Sequence, residues 1–107
     1  MSGMDDRQNA EETKFQLDQE LEFKAQARRN KLLGSWAAGL MGLPAAEAEA
    51  YAKTVVMADF EEAGDEDVFR KVAADLEAKG AGVSETALRA RMAELLDEAR
   101  AQIKAGA

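Results

Sequence analysis

The clearest candidates for a nucleophile in this sequence are aliphatic hydroxyls, because the chain contains no cysteine and no histidine. Histidine is the commonest general base, so no hydroxyl here has an imidazole partner that could accept its proton. One hydroxyl, that of Ser84, is better explained as the N-cap of a helix. We therefore predict a protein that is not an enzyme and has no catalytic residue. The residues with aliphatic hydroxyls are Ser2, Thr13, Ser35, Thr54, Ser84 and Thr86.

Carboxylates are concentrated between residues 59 and 67, where they could in principle bind a divalent cation. The segment lacks the Asp-x-Asp-x-Asp-Gly pattern and the distant glutamate of a calcium loop, so we interpret it as two helix ends that meet at a loop. The Gly80-Ala81-Gly82 turn lacks the lysine and the preceding strand of a phosphate-binding loop. The sequence predicts no metal and no cofactor. The carboxylates are Asp59, Glu61, Glu62, Asp65, Glu66 and Asp67.

Four basic residues, Lys24, Arg28, Arg29 and Lys31, form a block in an otherwise acidic chain. We refer to them as the basic block and predict that all four lie on the polar side of the first core helix, opposite its apolar residues. One interpretation is that they pair with carboxylates of the same chain, such as those of residues 59–67, and the acidic composition favours it. The other interpretation is contact with an acidic partner or a bound anion. The sequence leaves both open.

The total composition excludes several classes of function. The chain has 107 residues, which suits one domain, and a net charge of −7, which argues against general binding to nucleic acid or to an anionic membrane surface. No apolar run approaches the ~20 residues that span a bilayer. Residues 1–13 lack the apolar region of a secretory signal. We therefore expect no direct membrane insertion, and the absence of cysteine is compatible with the cytoplasm.

Apolar residues recur at helical spacing in four stretches, which predicts an all-α fold. The chain has one proline and few β-branched residues, so strands are poorly supported. Short connections between consecutive helices favour a compact antiparallel four-helix bundle. The predicted helices cover residues 20–41, 44–63 and 66–78, with Asp65 as the N-cap of the third and Ser84 as the N-cap of the last.

The chain divides at residue 20 into a predicted flexible segment, residues 1–19, and a predicted four-helix bundle, residues 20–107. The first segment has too few apolar residues to pack as a helix on a core, although it could fold against a partner. The first bundle helix contains Gly34 and Gly39. These glycines either allow a close approach of another helix or mark a bend.

Two long stretches of the sequence resemble a known family. The first comprises residues 5–7 (Asp-Asp-Arg), residues 14–15 (Lys-Phe) and residues 20–38, which include Phe-Lys-Ala-Gln-Ala-Arg-Arg-Asn-Lys-Leu-Leu-Gly. The second is residues 50–72, which include Ala-Asp-Phe-Glu-Glu-Ala-Gly-Asp-Glu-Asp-Val-Phe-Arg-Lys. Together they look like the ζ-subunit family of the α-proteobacterial F-type ATP synthase, formerly described as a domain of unknown function.

The resemblance implies a regulatory four-helix bundle whose N-terminal segment inhibits ATP hydrolysis. The segment would enter the catalytic head of the ATP synthase between an α and a β subunit, become helical there and block rotation. The family implies a monomer when free, in the cytoplasm, and on the cytoplasmic face of the inner membrane when bound. The implied partner-binding residues are Asp5, Asp6, Arg7, Lys14, Phe15 and Leu17, followed at the base of the segment by Lys24, Arg28 and Arg29.

The N-terminal segment departs from the family pattern at two places. Glu11 stands where the family often has an aromatic residue, and Gln16-Leu17 stands where it often has Ala-His. These departures leave open a paralogue that keeps the fold without the inhibition. Another alternative is a bundle that senses a nucleotide or a small anion through the basic block.

Overall fold

A computed structural model describes the backbone of residues 2–59 and 65–106 and the side chains of residues 19–59 and 65–106. Over these residues the chain forms helices and turns without any strand. This confirms the predicted all-α four-helix bundle. The helices are α1 (Ser2–Leu40), α2 (Ala45–Ala58), α3 (Glu66–Ala78) and α4 (Glu85–Lys104).

Helix α1 organises the bundle, because it packs along both α2 and α4. The sequence predicts a core helix from Glu20, whereas α1 begins at Ser2 and continues without interruption to Leu40. No proline or glycine occurs between Met4 and Arg29 to break it, and the residues there tolerate a helix. The side chains of residues 1–18 lie outside those that the structure describes, and the flexibility of residues 1–19 stays a prediction.

The helix ends follow the capping residues. The Ser84 Oγ accepts a hydrogen bond from the Ala87 N–H at 3.1 Å, as the N-cap assignment predicts. Asp65 precedes α3 as predicted, but its side chain makes no capping hydrogen bond. Helix α2 ends at Ala58, short of the predicted boundary at residue 63, and residues 60–64 lie outside the described residues.

One apolar core holds the four helices together. Every helix contributes fully buried side chains to it, and the apolar stripes predicted for α3 and α4 supply most of them. Trp36 and Phe69 are half-buried at its edge. The core residues are Leu33, Ala37, Val55, Val68, Val72, Leu76, Leu88, Met92 and Leu95.

Gly34 lies at a close approach of α1 to α2. A Cβ atom added to Gly34 would stand 2.6 Å from the Ala52 Cα and 3.3 Å from a Val55 methyl group, whereas one added to Gly39 would meet nothing within 4 Å. The close approach therefore requires glycine at position 34. The sequence leaves open whether these glycines allow a close approach of another helix or mark a bend. At Gly34 the structure shows the close approach.

We expect Gly34→Ala to destabilise the bundle by about 1–3 kcal/mol, because the added methyl group meets backbone that cannot move aside. Gly39→Ala is the matched control, and there the gain in helix propensity should stabilise the chain by up to about 1 kcal/mol. Urea unfolding of both variants measures the difference. Equal stability of the two variants would contradict the packing role of Gly34.

Candidate partner-binding site

Six of the nine predicted partner-binding residues belong to the N-terminal part of α1. Their backbone is helical and continuous with the part of α1 that packs in the bundle. Their side chains lie outside the described residues, so their contact roles stay predictions. These residues are Asp5, Asp6, Arg7, Lys14, Phe15 and Leu17.

Arg29 of the basic block lies inside the bundle. Its side chain is 1% exposed, its Nη2 donates to the Asp65 Oδ1 at 2.8 Å, and its Nε donates to the Asn30 Oδ1 at 2.7 Å. Asp65 keeps 47% of its side-chain surface exposed, so only the arginine end of the ion pair is removed from water. This pair ties α1 to the N-terminus of α3 and confirms, for Arg29, the predicted pairing within the chain.

The buried position of Arg29 corrects the prediction that the whole basic block lies on the polar side of α1. Arg29 follows Ala25 by four residues and precedes Leu33 by four, so helical spacing places it in the same buried stripe. Its charge nevertheless favours an exposed position, because charged side chains are rarely buried without a partner. Its partner Asp65 has a helical backbone conformation (φ −99°, ψ −2°) in place of the extended one of a usual N-cap, in keeping with the missing capping bond.

Two side-chain contacts join α1 to the C-terminal part of α4. Arg28 Nη1 donates to the Gln102 Oε1 at 2.8 Å, and Arg100 donates two hydrogen bonds to the Glu22 carboxylate, at 2.6 and 3.0 Å. The hydrogen bonds from Arg100 lower the pKa of Glu22. Because that pKa is lower in the folded chain, the pair stabilises the fold above the usual glutamate pKa, and this stability is lost as the pH falls through the folded value.

A shallow groove of about 460 Å³ lies along α1 between α2 and α4. Its floor is apolar and its rim carries three members of the basic block, Lys24, Arg28 and Lys31. We refer to it as the basic groove. Sequence reasoning missed it, because its apolar residues come from three separate helices. The lining residues are Phe23, Lys24, Ala27, Arg28, Lys31, Val56 and Ile103.

The carboxylates of residues 65–67, at the start of α3, form ion pairs with arginines. Besides the Asp65–Arg29 pair, Glu66 accepts two hydrogen bonds from Arg89, at 3.0 and 3.2 Å, and Asp67 pairs with Arg70. Within residues 19–59 and 65–106, no three side chains of metal-binding type are grouped closely enough to hold an ion. Asp65 and Glu66 thus join α3 to α1 and α4, whereas the Asp67–Arg70 pair lies within α3.

No described helix combines the length and the apolar character needed to cross a lipid bilayer.

Comparison with known proteins identifies the family. A family model described as ATPase inhibitor subunit zeta matches residues 1–102. A protein with a solved solution NMR structure is 49% identical, with a TM-score of 0.72, over 81% of this chain and 99% of that one. No curated protein matches the chain. The family match confirms the resemblance that residues 20–38 and 50–72 indicate.

Proposed function

This chain belongs to the ATPase inhibitor subunit zeta family, and from that premise we propose that it blocks ATP hydrolysis by the F-type ATP synthase. The N-terminal segment inserts as a helix at a catalytic α/β interface of the head and stops rotation. The observation that carries the proposal is the family match, which spans residues 1–102 and so includes both the segment and the bundle.

The continuity of α1 supports a mechanical link between the N-terminal segment and the bundle. One helix contains residues 2–18 and the buried residues Ala25 and Leu33. Residues 2–18 alone amount to roughly 25 Å of helix at 1.5 Å per residue. A helix anchored at one end in a packed bundle can oppose rotation, since a force on its tip is transmitted along a continuous hydrogen-bonded backbone.

The proposed contacts follow the same order along α1. Residues 5–17 supply the inserted contacts, and Lys24 and Arg28 extend them at the surface of the bundle. Arg29 is also proposed from the family pattern, although its guanidinium is held by Asp65 and Asn30 in the free chain. The protein acts as a non-catalytic monomer that binds α and β subunits on the cytoplasmic face of the inner membrane.

An ATP hydrolysis assay of the cognate enzyme with increasing amounts of this protein tests the proposal. We expect the rate to fall along a saturable curve. Binding of the head without any loss of hydrolysis would overturn it and would favour the paralogue that keeps the fold without the inhibition.

The alternative of a nucleotide or anion sensor makes a different prediction. Arg28 donates to Gln102 on α4 and Arg29 to Asp65 beside α3, so these two guanidinium groups are directed to different helices. Titration with ADP or ATP while amide NMR shifts are recorded tests this alternative. Saturable shifts at the basic block would favour it.

A further inference from the structure

The basic groove exposes apolar surface that a folded bundle ordinarily covers. Phe23 is 64% exposed at the groove, and the groove residues Val56 and Ile103 are half-buried. Phe23 is one of the most exposed large apolar side chains among the described residues. Contiguous exposed apolar surface bordered by polar residues is typical of an interaction site.

The charge at the groove is unusual for this chain. In the described part of the chain, no carboxylate forms an ion pair with Lys24 or Lys31, and none lines the groove. By contrast, Arg89, Arg91 and Arg100 are each paired with a glutamate. The described lining of the groove thus contains Lys24 and Lys31 and no carboxylate, on a protein with a net charge of −7. Such a surface is complementary to a negative one.

The spacing of the cations specifies the shape of a partner. Lys24, Arg28 and Lys31 succeed one another at intervals of four and three residues on α1, which places them along one face over roughly 10 Å. The apolar floor runs beside them through Phe23 and Ala27. A second helix with an apolar face and a row of carboxylates fits both features, in the helix-in-groove mode.

We propose that the basic groove binds an acidic amphipathic helix of the ATPase head whose interface the N-terminal segment enters. The apolar face of that helix covers Phe23, Val56 and Ile103, while its carboxylates meet Lys24 and Lys31. This inference rests on the proposed function. It follows from the continuity of α1, since the helix that contains the inserted segment leads directly into the groove.

The test is a comparison of two charge-reversal variants of the full-length chain. Lys24→Glu/Lys31→Glu alters the groove, and Lys53→Glu/Lys79→Glu makes the same change in net charge at exposed positions elsewhere. Binding to the isolated head is measured by biolayer interferometry, separately from the hydrolysis assay. We expect the groove variant to bind at least about tenfold more weakly, and the control to change by less than about twofold.

The apolar floor is tested independently by Phe23→Ala. Because Phe23 is exposed, the substitution should leave the bundle folded, which circular dichroism verifies. We expect weaker binding at both low and high salt, whereas the loss caused by the charge reversal should shrink as salt rises.

The outcomes separate the groove from the inhibitory mechanism. If the groove variant binds like its control, the groove proposal is wrong, whatever the hydrolysis assay gives. If the groove variant binds weakly but the wild-type chain does not inhibit, the proposed function fails and the groove proposal stands. Sedimentation that shows a wild-type dimer and a monomeric groove variant would overturn the proposal in favour of self-association, and failure of the wild-type chain to bind the head would also overturn it.

Discussion

Removal of residues 1–19 should abolish inhibition of ATP hydrolysis while the bundle stays folded. The inserted contacts proposed for Phe15 and Leu17 are lost with the segment, and the remaining chain, although it keeps the basic groove, has no segment that enters the α/β interface. The fold should persist, because the first buried residue among the described side chains of α1 is Ala25. The measurement is the hydrolysis rate of the cognate enzyme at concentrations that saturate inhibition by the whole chain.

The control for this deletion replaces residues 1–19 by a glycine–serine segment of equal length. This variant keeps the chain length but removes every proposed contact, so it should inhibit no better than the truncated chain. Circular dichroism and the urea midpoint verify that the bundle remains folded in both. A truncated chain that inhibits as well as the whole chain would show that the mechanism is wrong.

Arg29→Ala should be among the most destabilising single substitutions in the bundle. Breaking a fully buried ion pair costs about 3–5 kcal/mol. Asp65 is 47% exposed and can be rehydrated, so we expect a lower cost of about 2–3 kcal/mol, which includes the loss of packing around the arginine stem. Urea unfolding at neutral pH measures the free energy directly.

Arg100→Ala is the matched control for Arg29→Ala. Both arginines join α1 to another helix through a carboxylate, but the Arg100 side chain is 43% exposed. Exposed pairs contribute about 0.2–1 kcal/mol, so the control should be only weakly destabilised. Arg29→Lys should lie between the two, because lysine keeps the charge but cannot donate to Asp65 and Asn30 in the same fork. An Arg29→Ala variant as stable as Arg100→Ala would contradict the structural role of the buried pair.

Much of the local structure could be read from short-range signals. Gly80, with a positive φ, follows the end of α3, and the capping bond of Ser84 marks the start of α4. These signals work because a cap acts on backbone groups within three or four residues of itself. The sequence predicts that the first core helix begins at Glu20, because its apolar residues begin there, whereas α1 begins at Ser2. Apolar spacing reports packing against a core and does not fix where a helix begins.

The candidate site was predicted less completely than the fold. Charge and the family resemblance indicate Lys24 and Arg28, but the apolar residues that form a groove with them, Val56 and Ile103, lie on other helices. The same limit applies to Arg29. Its buried position was available from the spacing of Ala25 and Leu33, but its carboxylate partner lies 36 residues further along the chain.

The sequence by itself therefore determined the helical class, most of the helix ends of the bundle and the family, since each depends on residue types at fixed short spacing. Tertiary structure alone decided which carboxylate pairs with the buried Arg29, why position 34 must be glycine and where an apolar floor lies beside Lys24 and Lys31. The physical reason is common to all three. Each depends on how closely and at what register two helices pack, and that is set by contacts between residues far apart in the chain.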